Sequence, residues 1–160
     1  MAAQIGAPAA AVRAHEELFA YWASRRQGAR LPGRRDLAPG DIKRLLPTIS
    51  LMDVSCDPLD FRVRLAGTAL YDVYGREITG RRLSEIYNTA AADYWRSELI
   101  QVAAGKPAVG VHNLAWRGAS HLSILWLRLP LAANGTDVDM ILGYDAVIGL
   151  GQIVSGVRAA

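Results

Sequence analysis

Hydrophobic residues recur along this chain with two different periods, and the changes of period mark its elements. From Ala11 to Gln27 the spacing is helical: Val12, Phe19 and Trp22 fall near one face, with Leu18 beside them. Gly28 is placed as the stop of this helix, and Arg25 and Arg26 suit the negative end of its dipole. After a loop with Pro32 and Gly33, Asp36 to Leu46 reads as a short helix with Pro39 near its start and Pro47 at its end. Thr48 to Val54 is a predicted strand, and Cys56-Asp57-Pro58 a turn. Strict alternation follows, with Phe61, Val63 and Leu65 on one side and Arg62 and Arg64 on the other, the period of a half-buried strand. Gly67 and Thr68 break it, and Thr68 is expected to N-cap a turn carrying Leu70, Val73 and Tyr74. Gly75 stops that turn, Gly80 marks a bend, and Leu83 to Ile86 forms another helical turn. Asn88 then caps a long helix to Ala104 with a buried stripe of Ala91, Trp95, Leu99 and Val102, closed by Gly105 and Pro107.

The last third reads as an antiparallel meander. Asn134-Gly135 predicts a two-residue turn, which pairs Leu131 with Val138, Leu129 with Met140, Leu127 with Leu142 and Leu125 with Tyr144. A second turn at Gly118-Ala119 pairs Trp116 with His121, Leu114 with Ser123 and His112 with Leu125. These positions share one almost wholly apolar face. The opposite face mixes Ile124, Trp126 and Ile141 with Arg128, Asp139 and Asp145, and is too apolar to stand in water uncovered. The Val12 to Gln27 helix is its natural cover, from the same chain or from a partner. Pro130, which has no N–H to give a ladder, predicts a bulge or break.

Three segments resemble a known family: Leu31 to Leu37 (LPGRRDL), Asp60 to Thr68 (DFRVRLAGT) and Gly75 to Glu85 (GREITGRRLSE). They resemble stand-alone bacterial PAS-type proteins, members of the PAS sensor superfamily. The resemblance implies an α+β fold, a PAS-like five-stranded antiparallel sheet with short helices and one long helix on one face, plus the N-terminal amphipathic helix. It also implies a homodimer, for which Val12, Phe19 and Trp22 from the helix and Ile124, Trp126 and Ile141 from the sheet are the expected interface. The alternation alone admits other cone-shaped α+β folds.

Composition narrows the classes. With 51% hydrophobic and 21% charged residues over 160 positions, the chain is an ordinary globular domain. Residues 1–10 are expected to be a loose terminus, 11–147 one domain, and 148–160 a tail too short for an output domain, so that output would be in trans. The single cysteine, Cys56, excludes a disulfide framework and a cysteine-clustered metal site. No apolar run is long enough to span a bilayer, no secretory signal is visible, and the cytoplasm is the expected location. The +3 net charge and the arginines at 25, 26, 30, 34 and 35 invite a nucleic-acid reading. Asp36 and Asp41 interrupt that run, no recognition motif accompanies it, and net charge alone speaks to solubility.

Candidate chemistry is sparse. In the predicted register His112 and His121 lie on the order of 13 Å apart, too far to share a metal. No metal site is expected. His15 falls on the polar side of its helix and is expected to be solvated. His112, Leu125 and Tyr144 form an expected rung, with His112 and Tyr144 roughly 10 Å apart, a gap that a small polar-headed ligand spans. The predicted ligand site adds Ser123 and Met140 from the sheet and Tyr74, Tyr94 and Trp95 from the helices. Ordinary core packing is the competing reading for all of these. Tyr71 and Tyr87 lie on the same helical segments.

Among cofactors known in PAS proteins, haem is disfavoured because the Asn88 to Ala104 helix carries no histidine. Thiol-adduct flavin and thiol-linked chromophores are disfavoured because Cys56 precedes the strand at Phe61. The cofactor stays unknown. No GxSxG, P-loop, HExxH or dinucleotide fingerprint is present, and Asp137 and Asp139 point to alternate sides of their hairpin. The expectation is a non-catalytic sensory or regulatory module that holds a small apolar or aromatic ligand, or none, and signals by protein–protein contact. Two alternatives stand beside it: a small isomerase or hydratase using His112 and Tyr144 as acid and base, and a ligand-free dimerisation adaptor with a filled core.

Overall fold

The computed structural model describes residues 8–149. The expectations for residues 1–7 and for the tail from 150 onward lie outside the described residues. The chain forms α1 (Ala9–Ser24), β1 (Ile49–Ser55), β2 (Asp60–Ala66), α2 (Leu70–Tyr74), α3 (Leu83–Ile86), α4 (Thr89–Ala103), β3 (Ala108–Leu114), β4 (Ala119–Leu131) and β5 (Met140–Gly149). The strands make one antiparallel sheet in the order β2-β1-β5-β4-β3. This is the expected α+β architecture.

Helix α4 follows its sequence signals. The Asn88 side chain accepts the Ala91 N–H at 2.9 Å, and the buried stripe is Ala91, Trp95, Leu99 and Val102. Gly75 and Gly80 take left-handed backbone at φ +71° and +82°, ending α2 and turning the chain towards α3. Thr68 does not cap α2. Ala69 holds that position without a side-chain bond, because Gly67 already begins the turn by accepting the Leu70 N–H. The predicted helix from Asp36 is instead a pair of 3₁₀ segments, Arg34–Asp36 and Pro39–Thr48, the second kinked at Ile42.

Helix α1 ends at Ser24, earlier than predicted, because Gln27 and Arg30 form a small bridge that uses Gly28 at φ +63°. Its buried stripe is Ala14, His15, Leu18 and Trp22, while Phe19 stands 43% exposed. His15 was expected in solvent and is instead buried at 3% exposure, its Nε2 donating to the Leu125 carbonyl at 3.1 Å. Trp22 Nε1 donates to the Pro130 carbonyl at 2.9 Å. Strand β4 runs through Pro130 with no break, since β3 pairs only as far as Arg128 and leaves β4 an open edge there.

Registers differ from the predicted ones in two ways. Leu131 pairs with Met140, Leu129 with Leu142, Leu127 with Tyr144 and Leu125 with Ala146, a shift of two. The Asn134 side-chain oxygen accepts the N–H groups of Thr136 and Asp137, so the turn becomes a longer loop. An even shift leaves every side chain on its face. Strand β3 is different. A 3₁₀ turn, Ala115–Arg117, precedes Gly118, and an irregularity after Asn113 places His112 opposite Ile124 rather than Leu125. That odd shift carries His112 to the other face.

Two cores result. Under α2, α3 and α4 lie Met52, Phe61, Val63, Ile124, Trp126 and Ile141. Under α1 lie Ile49, Leu51, Leu127, Leu129, Leu131, Leu142 and Tyr144. The expected assignment of helices to faces is therefore inverted: α1 covers the leucine face of its own chain, and Ile124, Trp126 and Ile141 pack beneath the short helices and α4. The physical reason is bulk. Trp126 fits because Gly110 on β3 has no side chain; a Cβ there would sit 2.6 Å from the indole. A flat leucine face suits a single amphipathic helix better.

Candidate functional site

Between α2–α4 and the sheet the chain gathers aromatic rings around one buried ion pair. Arg128 on β4 and Asp145 on β5 lie diagonally on the same face and meet at 2.8 Å, their side chains 5% and 1% exposed. Tyr74 from α2 donates its hydroxyl to the other Asp145 oxygen at 2.7 Å, and the Tyr87 hydroxyl lies 3.4 Å from that of Tyr74. Arg128 also donates to the carbonyls of Leu127 and Tyr144. Its guanidinium sits 4.8 Å from the Trp95 ring centre and 5.9 Å from that of Trp126. Gly143 leaves the room, since a Cβ there would meet Ser50 Oγ at 2.4 Å and Arg128 Nη1 at 3.1 Å.

Burial disfavours the Arg128 charge most strongly, but the charge and hydrogen bond of Asp145, with smaller contributions from Tyr74 and Tyr87, together outweigh it and hold the guanidinium pKa above its usual value. Burial and then the Asp145 charge push the Tyr74 phenol well up, and burial raises Tyr87 likewise. These phenols stay neutral donors.

Beside this pair the aromatic side chains continue to the surface. The Tyr94 ring stacks on His112 at 4.2 Å, Tyr87 on Trp95 at 5.9 Å, and Trp116 meets Tyr87 edge-on at 4.8 Å. Trp126 Nε1 donates to the Tyr94 hydroxyl at 3.0 Å. Desolvation lowers the His112 pKa, so the imidazole is neutral. Two surface clefts open here. One of about 400 Å³ is lined by Asn88, Ala91, His112, Asn113 and Trp116; the other, of about 510 Å³, by Tyr74, Glu85, Tyr87, Trp116 and Arg117. Trp116 and Asn88 wall both. Four buried nitrogens, three on these rings and one on the neighbouring Arg117, have no hydrogen-bond partner: Trp95 Nε1, His112 Nδ1, Trp116 Nε1 and Arg117 Nε. Buried polar atoms usually have partners, so this cluster is the feature to be explained.

The predicted site divides. Tyr74, Tyr94, Trp95 and His112 meet on the α4 face. Ser123, Leu125, Met140 and Tyr144 belong to the α1 face: Ser123 Oγ accepts from Asn113 at 3.3 Å, the Leu125 carbonyl accepts from His15, and Tyr144 meets the His15 ring edge-on at 5.4 Å. The rung of His112, Leu125 and Tyr144 does not form. His112 and Tyr144 point to opposite sides of the sheet, so they cannot act as acid and base on one substrate. The Arg128–Asp145 pair was missed, although two opposite charges set in otherwise apolar strands on one face were its signal. Cys56 is exposed in the β1–β2 turn, and no group of metal ligands exists among the described residues. No helix among them is long and apolar enough to cross a membrane.

A sheet of this order, with short helices and one long helix across one face, defines a sensor-type α+β domain. The family model described as PAS domain matches residues 10–145, and the chain belongs to that family. Among solved structures it is similar to the RsLOV d2 variant (TM-score 0.51, 15% identity, covering 68% of this chain and 65% of that one). It is likewise similar to the Rhodobacter sphaeroides LOV protein (TM-score 0.52, 14% identity, 77% and 86%) and to the PAS domain of Bordetella pertussis BvgS (TM-score 0.53, 15% identity, 71% and 89%). The chain spans just under two thirds of the length of the first of these. At such identities the likeness concerns the fold. No curated protein matches the chain.

Proposed function

We propose that this PAS domain is a non-catalytic regulatory module whose input is a small planar ligand bound beside Trp116 and whose output is contact with other proteins. The observation that carries the reading is the cluster of four unpartnered nitrogens on Trp95, His112, Trp116 and Arg117. An aromatic ligand with acceptor atoms on its edge would stack on the rings and take up these groups. Deeper entry is blocked by the protein's own Arg128, Asp145 and Tyr74, which fill the space a larger ligand would need. Occupancy would be felt by α2, α3 and the β3–β4 turn, since Trp116 touches Tyr74 and Tyr87. In a homodimer, the exposed side of α1 bearing Phe19 is the available part of the expected interface, because Trp22, Ile124, Trp126 and Ile141 are buried within one chain.

Native mass spectrometry of protein purified from its own host tests this reading. A small-molecule mass that is lost on denaturation, and is reduced in His112→Ala and Trp116→Ala, is the expected result. Wild-type protein carrying no such mass overturns the ligand and leaves a module that works by contacts alone.

A further inference from the structure

The LPGRRDL segment lies away from the aromatic site, on the α1 side of the sheet. It is fixed there by the β4–β5 loop: Leu31 N–H donates to the Gly135 carbonyl at 2.9 Å, and Ala132 N–H to the Pro32 carbonyl at 2.9 Å. Between this segment and the β1–β2 pair runs a cleft of about 710 Å³, within the size range of small-molecule sites. Its walls carry Arg34, Arg35 and Arg64, over an apolar floor of Leu51, Leu65 and Met140.

Two features mark this cleft as more than a gap. The first is a bulge. Leu51 pairs with Leu65 but Met52 with Val63, so Arg64 is the extra residue on β2. The bulge reverses the alternation, and Leu65, expected in the core with Phe61 and Val63, is turned out to 47% exposure on the cleft floor. Bulges re-aim side chains and recur beside binding sites.

The second is charge. Asp36 and Asp139 also line the cleft, but each already accepts a backbone N–H, from Gly33 and Ala133. Arg34 spends one nitrogen on the Leu37 carbonyl at 3.3 Å, and Arg64 pairs with Asp53 at 3.0 Å while staying 60% exposed. Arg35 makes no hydrogen bond or ion pair among the described residues.

We infer that this cleft binds a small amphiphilic anion, an aliphatic chain lying on Leu51, Leu65 and Met140 with a carboxylate or phosphate head held by Arg35 and Arg64. Guanidinium groups match such heads in a bidentate fork, and a bare leucine beside them accounts for the chain.

Titration calorimetry with octanoate and octyl phosphate as probes decides it, against acetate, inorganic phosphate and octanol as head-only and tail-only controls. At least one amphiphile should bind, with each control weaker by about tenfold or more. Whichever head binds more tightly supports the inference and fixes its chemistry. Arg35→Gln/Arg64→Gln and, separately, Leu65→Gln should each weaken binding by about tenfold while leaving the thermal melt nearly unchanged, since all three side chains are exposed. Trp116→Ala, on the other face, should leave binding as it was. Octanol binding as tightly as the anions overturns the inference. So does affinity that survives the arginine pair, affinity lost only in Trp116→Ala, or no binding of either amphiphile, including the case in which an acidic peptide binds instead.

Discussion

Asp145 accepts from two donors in a place that water does not reach, Arg128 on one oxygen and Tyr74 on the other. Removing one member strands the rest. Asp145→Asn should cost about 3–5 kcal/mol in urea unfolding, because the Arg128 charge stays buried without its counter-ion. Replacing both charges, Arg128→Met with Asp145→Leu, should recover most of that loss, since a buried pair contributes little over a packed apolar one. A double variant as unstable as the single would show that Arg128 stabilises chiefly through its two carbonyl contacts and its position over Trp95.

His15 poses a different question at the same scale. Its Nε2 donates to Leu125 and its Nδ1 has no partner, so a second proton would be buried without an acceptor. Burial lowers its pKa from 6.5 to about 4. The unfolded chain therefore takes up the proton first as pH falls. The contribution of neutral His15 is complete above about pH 6.5 and is lost towards about pH 4, on the order of 3 kcal/mol in all. His15→Gln, which keeps a donor and cannot titrate here, should flatten the pH dependence of urea midpoints across that window. An unchanged slope would assign the acid sensitivity to other groups.

At the scale of elements, α4 offers a direct test. Asn88→Ala removes the bond to the Ala91 N–H and should cost about 1 kcal/mol, read by thermal denaturation. This helix was legible residue by residue, because cap, stripe and stop are local signals. So were the strands, as alternation. What alternation cannot say is which helix lies on which face, and that choice rested on Gly110 making room for Trp126 and on Gly143 making room for Arg128. The β3 register was hidden for a related reason. A 3₁₀ turn at Ala115–Arg117 takes up residues that a two-residue turn at Gly118-Ala119 would leave in the strand, and so moves His112 by one position and the candidate site with it. Leu65 was misplaced by the bulge at Arg64, which leaves the alternating pattern of residue types intact while reversing its geometry.

For the whole molecule, α1 is a wall of the domain and not an appendage. It closes the leucine core and is tied to the Pro39–Thr48 segment by the Arg25–Asp41 and Arg44–Glu17 pairs. Deleting residues 1–28 should expose Leu127, Leu129, Leu131 and Leu142 and give aggregate, measured by size-exclusion chromatography. A soluble, folded product of the deletion would mean that something else can cover that face.

The partners of α1 are also late in the chain. His15 meets Leu125 and Trp22 meets Pro130, separations of 110 and 108 residues. During synthesis the first helix leaves the ribosome long before its seat exists, with the apolar faces of Leu18 and Trp22 bare until β4 and β5 have emerged. Such transiently exposed surface is what chaperones bind. Nascent chains arrested after α4 should therefore be retained by a holdase through residues 9–24, and chains arrested with β5 outside the exit tunnel should be released.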